Sequence, residues 1–380
     1  MTEWTMTTTG DCVAAARPAR RIESLDLIRG IAALGILVMN SIAFGLDDAA
    51  YSNLEQGGNS TLLDTAIGVL ARILVDQKMM ALFSLLFGVG IVIFADRAEA
   101  KGRRPVLLSL WRNLLLLAIG IAHTLFWDGD ILTVYAVCAP VVLLMRKLPA
   151  QVLLAVGLAL ANLGAVNFLL ANGGARDVDL GEAWFAGAGN VSDGLEGVLL
   201  LDGFGRALGL MLIGVGLFRL RVVQGERSDA TYRHVAFGGL AIGLPFSVAG
   251  LVVHTSTDWA GSSALLGYGI STLGTVPLAV AYLAIIVLWS RHARPLQDRF
   301  RAVGRMALTN YLTQTAIGLL VLTSALDGVD LTRTGILAIV VTVWVAQLAW
   351  SPWWLERFRF GPVEWLWRSA TYRSPQPLRR

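Results

Sequence analysis

The groups best suited to chemistry lie in one run, Trp111 to Asp130, with Arg112 near its start, His123 near its end, and Asp128 and Asp130 just beyond. Between Arg112 and His123 the side chains are almost wholly apolar, so the two stand at opposite ends of a helix that crosses a membrane. Ionisable groups at that depth are costly, and by default they mark a pathway or a reactive site. A neutral imidazole can take a proton from a hydroxyl or amine, and a neighbouring carboxylate fixes its tautomer and stabilises the cation that forms. Asp128 and Asp130 both qualify as that carboxylate, depending on how Gly129 turns the chain.

A second helix repeats the spacing. Arg29 and Asn40 stand eleven residues apart, as do Arg112 and His123; that is about 16 Å along an ideal helix and roughly 20° of rotation. Each pair lines one face, and a long substrate fits between the ends. The competing reading makes the arginines snorkel to headgroups while Asn40 and His123 bond to neighbouring helices. Arg305 is a third cation at an inner helix end. Asn310, Tyr311 and Gln314 share one turn of a later helix, where they either line the channel or tie helices together. Asp76 and Lys78, at the outer mouth of the second apolar run, are candidates for acceptor binding. Of the other histidines, His234 and His292 sit among inner basic residues, while His254, followed by Thr255 to Asp258 at an outer end, stays open as a second candidate.

These residues need a scaffold, and the composition names its class. Of 380 residues 55% are hydrophobic and 15% charged, with long uncharged runs, which describes an all-α polytopic membrane protein. About ten runs are long enough to span: 27–46, 79–95, 107–127, 131–145, 150–170, 203–219, 235–253, 264–289, 306–325 and 334–352, the fourth and sixth short. With both termini in the cytoplasm, only Arg72, Lys78, Arg176, Arg206 and Arg333 of the 31 Lys and Arg residues fall outside, as the positive-inside rule asks. The net charge of +4 is thus sorted by side and does not point to nucleic acid.

The domains follow as a disordered tail (1–20), a transmembrane domain (21–354), and a cytoplasmic interfacial helix and tail (355–380) in which Pro362 opens the helix. The stretch 62–74 has helical apolar spacing but is too short to cross, and reads as interfacial or re-entrant. The segment 171–202 suits either a lid or a solvated connector. Neither Cys12 nor Cys138 has a metal-ligating neighbour, and no metal is implied. Membrane lipids are necessary partners, and a homo-oligomer fits the apolar surface as well as a monomer does.

Several stretches carry a family likeness. Leu25 to Asn40 resembles the first-helix signature of the YeiB family, bacterial inner-membrane proteins grouped as domain of unknown function 418. Leu82 to Gly90, His123 with Trp127 to Leu132, Gly304 to Gln314, and Gly361 to Arg368 are similar to that family in the same order. The family in turn resembles the transmembrane acyltransferases, which include heparan-alpha-glucosaminide N-acetyltransferase and bacterial sugar O-acetyltransferases. The resemblance implies acetyl-CoA or another acyl-CoA held on the cytoplasmic side, with its acyl group passed to a small-molecule acceptor on the other face. It places Arg29 at the superfamily's first-helix arginine. This chain departs from the pattern in having Asn40 where the O-acetyltransferases have a catalytic histidine, and no histidine between 47 and 78. His123 is then the expected general base, Asp128 or Asp130 its orienter, Asn40 an oxyanion donor, and Arg29, Arg112 and Arg305 the phosphate ligands. A transporter using glycine-broken spans at 203–219 and 264–289 is the alternative, and a non-catalytic membrane scaffold a third.

Overall fold

A computed structural model describes residues 22–173, 183–186, 193–292 and 294–380. The tail 1–20 and most of the 171–202 loop outside its helical ends lie outside the described residues. The chain is an all-α, multi-pass membrane protein: among the described residues eight helical segments are long and apolar enough to cross a membrane, nine if one bent pair counts as a span.

Helix α1 (Glu23–Gly45) leads through the short α2 (Asp48–Ser52) to α3 (Leu62–Leu74), whose start is fixed by a reciprocal Thr61–Asp64 capping box. α4 (Lys78–Ala100) follows at once, after Gln77 at φ 60°. Together α3 and α4 cover 39 residues, about 58 Å of helix against a hydrocarbon core of about 30 Å. The surplus length belongs to α3, which carries the buried charges Asp64 and Arg72.

α5 (Pro105–Thr124) and α6 (Leu132–Met145) form a hairpin. The sequence reads 131–145 as a span, but α6 has only 14 residues, about 21 Å, which is too short to cross alone. α7 (Ala150–Ala161) and α8 (Leu163–Asn172) make one span with a step at Asn162, and the small α9 (Ala183–Ala186) precedes α10 (Asp193–Arg219) and α11 (Asp229–Ser256). α10 is continuous through its glycines, so it supplies no unwound segment of the kind a glycine-broken span would; Gly209 and Gly214 instead meet the backbones of α7 and α4. α12 (Gly261–Leu273) and α13 (Thr275–Ser290) form the next span, stepping at Gly274. α14 (Pro295–Arg305) and α15 (Ala307–Gly318) are bent by 82° at Met306, and α15 runs into a π-helical stretch, Leu319–Ala325. α16 (Arg333–Arg357) crosses back, and α17 (Pro362–Tyr372) starts, as expected, on its proline.

The central core comes from α1, α4, α10 and α13, where Leu27, Ile28, Leu82, Leu85, Leu210 and Leu283 are fully buried. At one end of the bundle Arg146 reaches Asp96 (3.0 Å) and Glu99 (2.7 Å), the Ser24 hydroxyl donates to the Val223 carbonyl (3.0 Å), and Arg301 lies 3.7 Å from Glu23. At the other end Asp64 accepts from the Thr334 amide (2.8 Å), and Arg333 donates to the Ala50 carbonyl (3.0 Å). The basic loops therefore gather at one end and the acidic segments 47–64 and 327–330 at the other, the separation on which the positive-inside rule depends.

Candidate functional site

Two arginines owe their meeting to two glycines. α1 crosses α14 so closely that a Cβ on Gly30 would collide with the Phe300 carbonyl, and one on Gly304 with the Asp26 carbonyl. The neighbours in sequence, Arg29 and Arg305, are thereby brought to the wall of one cavity. Arg29 lies 3.6 Å from Asp26, and Arg305 donates to the Arg359 carbonyl (3.4 Å). Arg112 of α5 joins them, its guanidinium 3.6 Å from the centre of the Trp367 ring and 4.7 Å from that of Phe94. Among the described residues no carboxylate pairs with Arg112. The Trp367 indole in turn donates to the Arg112 carbonyl (2.9 Å), so α17 is clamped across the cavity's arginine end.

The cavity is about 220 Å³. From the arginines it continues between Phe83, Phe87, Ile91, Leu116 and Leu132 to Tyr311. Glu364 of α17 stands in its wall and uses one oxygen to accept from the Leu308 (2.7 Å) and Thr309 (3.0 Å) amides, capping the start of α15. Burial pushes the Glu364 carboxyl above its usual range, while these hydrogen bonds work against that rise. The only local hint of it in the sequence is an acid two residues after a helix-opening proline.

Beyond Tyr311 lies the histidine. His123 is buried, and its Nδ1 meets the Asp130 Oδ1 at 2.8 Å; the other Asp130 oxygen accepts from the Thr133 amide at 2.8 Å. The turn at Gly129 thus selects Asp130, and Asp128 points to solvent. Gly120 allows this approach, since a Cβ there would strike Thr133 and crowd Asp130. With Nδ1 turned to a carboxylate, Nε2 is left as the basic atom. Nε2 is buried, and among the described residues it has no hydrogen-bond partner; the Tyr311 hydroxyl is also buried, beside the Ile131 backbone. The two rings are 5.4 Å apart, and the edge of Trp127 closes the other side at 5.9 Å. His123 itself is not part of the cavity wall; Tyr311 stands between them.

Other expected residues are distributed differently. Asn40 shares a helix face with Ile36, packed with Tyr311 and Trp127, and Phe44, 4.9 Å from Trp127; no hydrogen bond joins it to His123 among the described residues. Of the three polar residues on α15, Tyr311 alone reaches the cavity. Asn310 bonds to Val303, Trp350 and Ser351, and Gln314 to Gln347 (2.8 Å), so both tie α15 to neighbouring helices. Asp76 and Lys78 lie apart, at the α3–α4 junction. Asp76 is paired with Arg72 (3.0 Å), and Lys78 donates to the Arg72 carbonyl (3.0 Å). His254 stacks on both Trp184 (5.3 Å) and Trp259 (5.1 Å), which also stack on each other (6.3 Å).

The family model for protein of unknown function DUF418 matches residues 217–374. The chain is 34% identical over 381 residues to the uncharacterized protein YeiB of Escherichia coli (strain K12), covering 93% of this chain and 97% of that protein. It is 31% identical over 402 residues to the uncharacterized protein YxaH of Bacillus subtilis (strain 168), covering 94% and 96%. An uncharacterized 39.9 kDa protein of Bacillus acidopullulyticus is 28% identical, covering 94% and 96%. No solved structure matches the chain.

Proposed function

The chain belongs to the DUF418 family, together with YeiB and YxaH, and from that premise and the cavity's geometry we propose that it is an acyltransferase of the bacterial inner membrane. It moves an acyl group from cytoplasmic acyl-CoA, acetyl-CoA being the simplest, to an extracytoplasmic acceptor such as a sugar or other envelope component. One observation carries the reading: a single cavity has three arginines at one end and, at the other, a tyrosine packed on a buried histidine–carboxylate pair. Arg112, stacked on aromatic rings with no carboxylate of its own, suits a phosphate that arrives with the donor. The apolar middle suits the donor's arm, which must pass Tyr311 to reach the histidine.

In this mechanism His123 Nε2 removes the acceptor's O–H or N–H proton as the acceptor attacks the thioester carbonyl, while Asp130 holds the other ring nitrogen. Asn40 donates to the oxyanion. Collapse breaks the carbon–sulfur bond, and the proton on His123 leaves with the CoA thiol. Asp76 and Lys78 belong to the acceptor side.

The test is thermal unfolding of the detergent-purified protein with acetyl-CoA. Wild type is expected to be stabilised, Arg112→Ala to lose the shift, and His123→Ala to keep it while transfer falls about 10²–10⁴-fold. A folded wild type that no acyl-CoA stabilises overturns the proposal. The 82° break between α14 and α15, in the cavity wall, favours a second reading, since broken helices line transporter sites. That reading predicts vesicle uptake of the bound anion unchanged.

A further inference from the structure

A second hollow lies on the outside of the α5–α6 hairpin. It is a groove of about 510 Å³, floored by Leu107, Leu110, Leu114 and Leu117 of α5 with Val137 and Pro140 of α6. The α5 leucines recur at helical spacing on a face turned away from buried Ser109, Leu116 and His123, with Asn113 at its edge also lining the groove. Leu107 is 60% exposed, Leu114 54% and Val137 48%. A short α6 leaves this stretch of the perimeter thin.

The groove ends in cations. Arg373, the left-handed residue that follows α17, lines it with its guanidinium 4.9 Å from the centre of the Trp111 ring. Arg103, just before α5, lies 5.1 Å from the centre of the Tyr372 ring. Among the described residues no carboxylate pairs with Arg103, Arg104 or Arg373. Apolar chain-sized space ending in uncompensated cations at the basic end of the bundle matches an amphiphile with an anionic head. A partner helix would fill the groove but leave the cations unanswered.

We infer that the α5–α6 groove binds one anionic phospholipid, with an acyl chain along the leucine stripe and its phosphate at Arg373. The site is coupled to the arginine cavity, because Trp111 and Arg112 are adjacent. The Trp111 indole donates to the Ala370 carbonyl (3.1 Å), and the Arg112 carbonyl accepts from Trp367. A lipid held at Trp111 and Arg373 therefore steadies the clamp between α5 and α17. This assignment does not depend on acyl transfer.

The experiment compares phosphatidylglycerol with phosphatidylcholine of identical chains on delipidated, detergent-solubilised full-length protein, reading lipid retention by native mass spectrometry and thermal stability. Phosphatidylglycerol should be retained and raise Tm by several degrees, and phosphatidylcholine should not. Arg373→Gln should weaken retention about fivefold, the worth of one cation near an anionic surface, while Arg373→Lys keeps it. Val137→Trp fills an exposed groove position without touching the core and should abolish retention. Brominated-chain phosphatidylglycerol should quench tryptophan emission in wild type and less in Trp111→Phe. Equal retention of the two lipids, or a phosphatidylglycerol preference that survives both Arg373→Gln and Val137→Trp, overturns the site.

Discussion

Asp130 uses one oxygen on His123 and the other on the backbone of α6, and that division makes a sharp prediction. In Asp130→Asn the amide oxygen can still accept from Thr133, but the amide nitrogen then faces His123 Nδ1. The ring must turn Nδ1 into an acceptor and carry its proton on Nε2, where the base is needed. Acyl transfer should drop by about two to four orders of magnitude with donor binding unchanged, measured as turnover beside acetyl-CoA affinity. Near-wild-type turnover would remove the histidine from the mechanism. The pair is legible in the sequence because its members are only seven positions apart with a glycine among the residues between them. The choice of Asp130 over Asp128 is not, since it depends on the turn itself. Tyr311 was legible as a polar residue on α15, but not as the one of three that faces the cavity; its neighbours' partners lie on α14 and α16.

At the scale of helices, the arginine site depends on the α1–α14 crossing, and so on two residues with no side chain. Gly304→Val should lower stability by about 1–3 kcal/mol or prevent folding, because the added atoms have only the Asp26 backbone to meet. Gly238→Ala in α11 is the control: nothing lies within 4 Å of its would-be Cβ, so it should be neutral or stabilise by up to about 1 kcal/mol. Thermal unfolding in detergent compares the two, and equal tolerance would mean the crossing is looser than described. Hydropathy runs found the helices well, because lipid imposes one simple rule on all of them. The run 306–325 starts at the break at Met306, but hydropathy did not show that the polar stretch before it is a helix, α14, bent against α15. The acceptor that caps α15 there is Glu364, 56 positions from Leu308, and no local pattern contains it. The length of α6 was legible, since the run 131–145 already reads as short and the helix covers 14 of its residues.

For the whole molecule, charge sorting predicts that the end holding Glu23, Glu99 and Arg146 faces the cytoplasm. In a background of Cys12→Ser and Cys138→Ser, a membrane-impermeant maleimide applied to intact spheroplasts should label Asp327→Cys. Lys101→Cys should react only after permeabilisation, and the reverse pattern would invert the topology and the proposed direction of transfer. The arrangement also has a consequence in time. α17 follows every membrane-spanning helix in the chain, yet it supplies Trp367 and Glu364, which clamp Arg112 and cap α15. A ribosome therefore delivers the whole membrane domain before the pieces that finish its arginine pocket. A nascent chain whose spans are already inserted still holds that pocket open, and maturation of the site waits on the last helix folding back against α5 and α15.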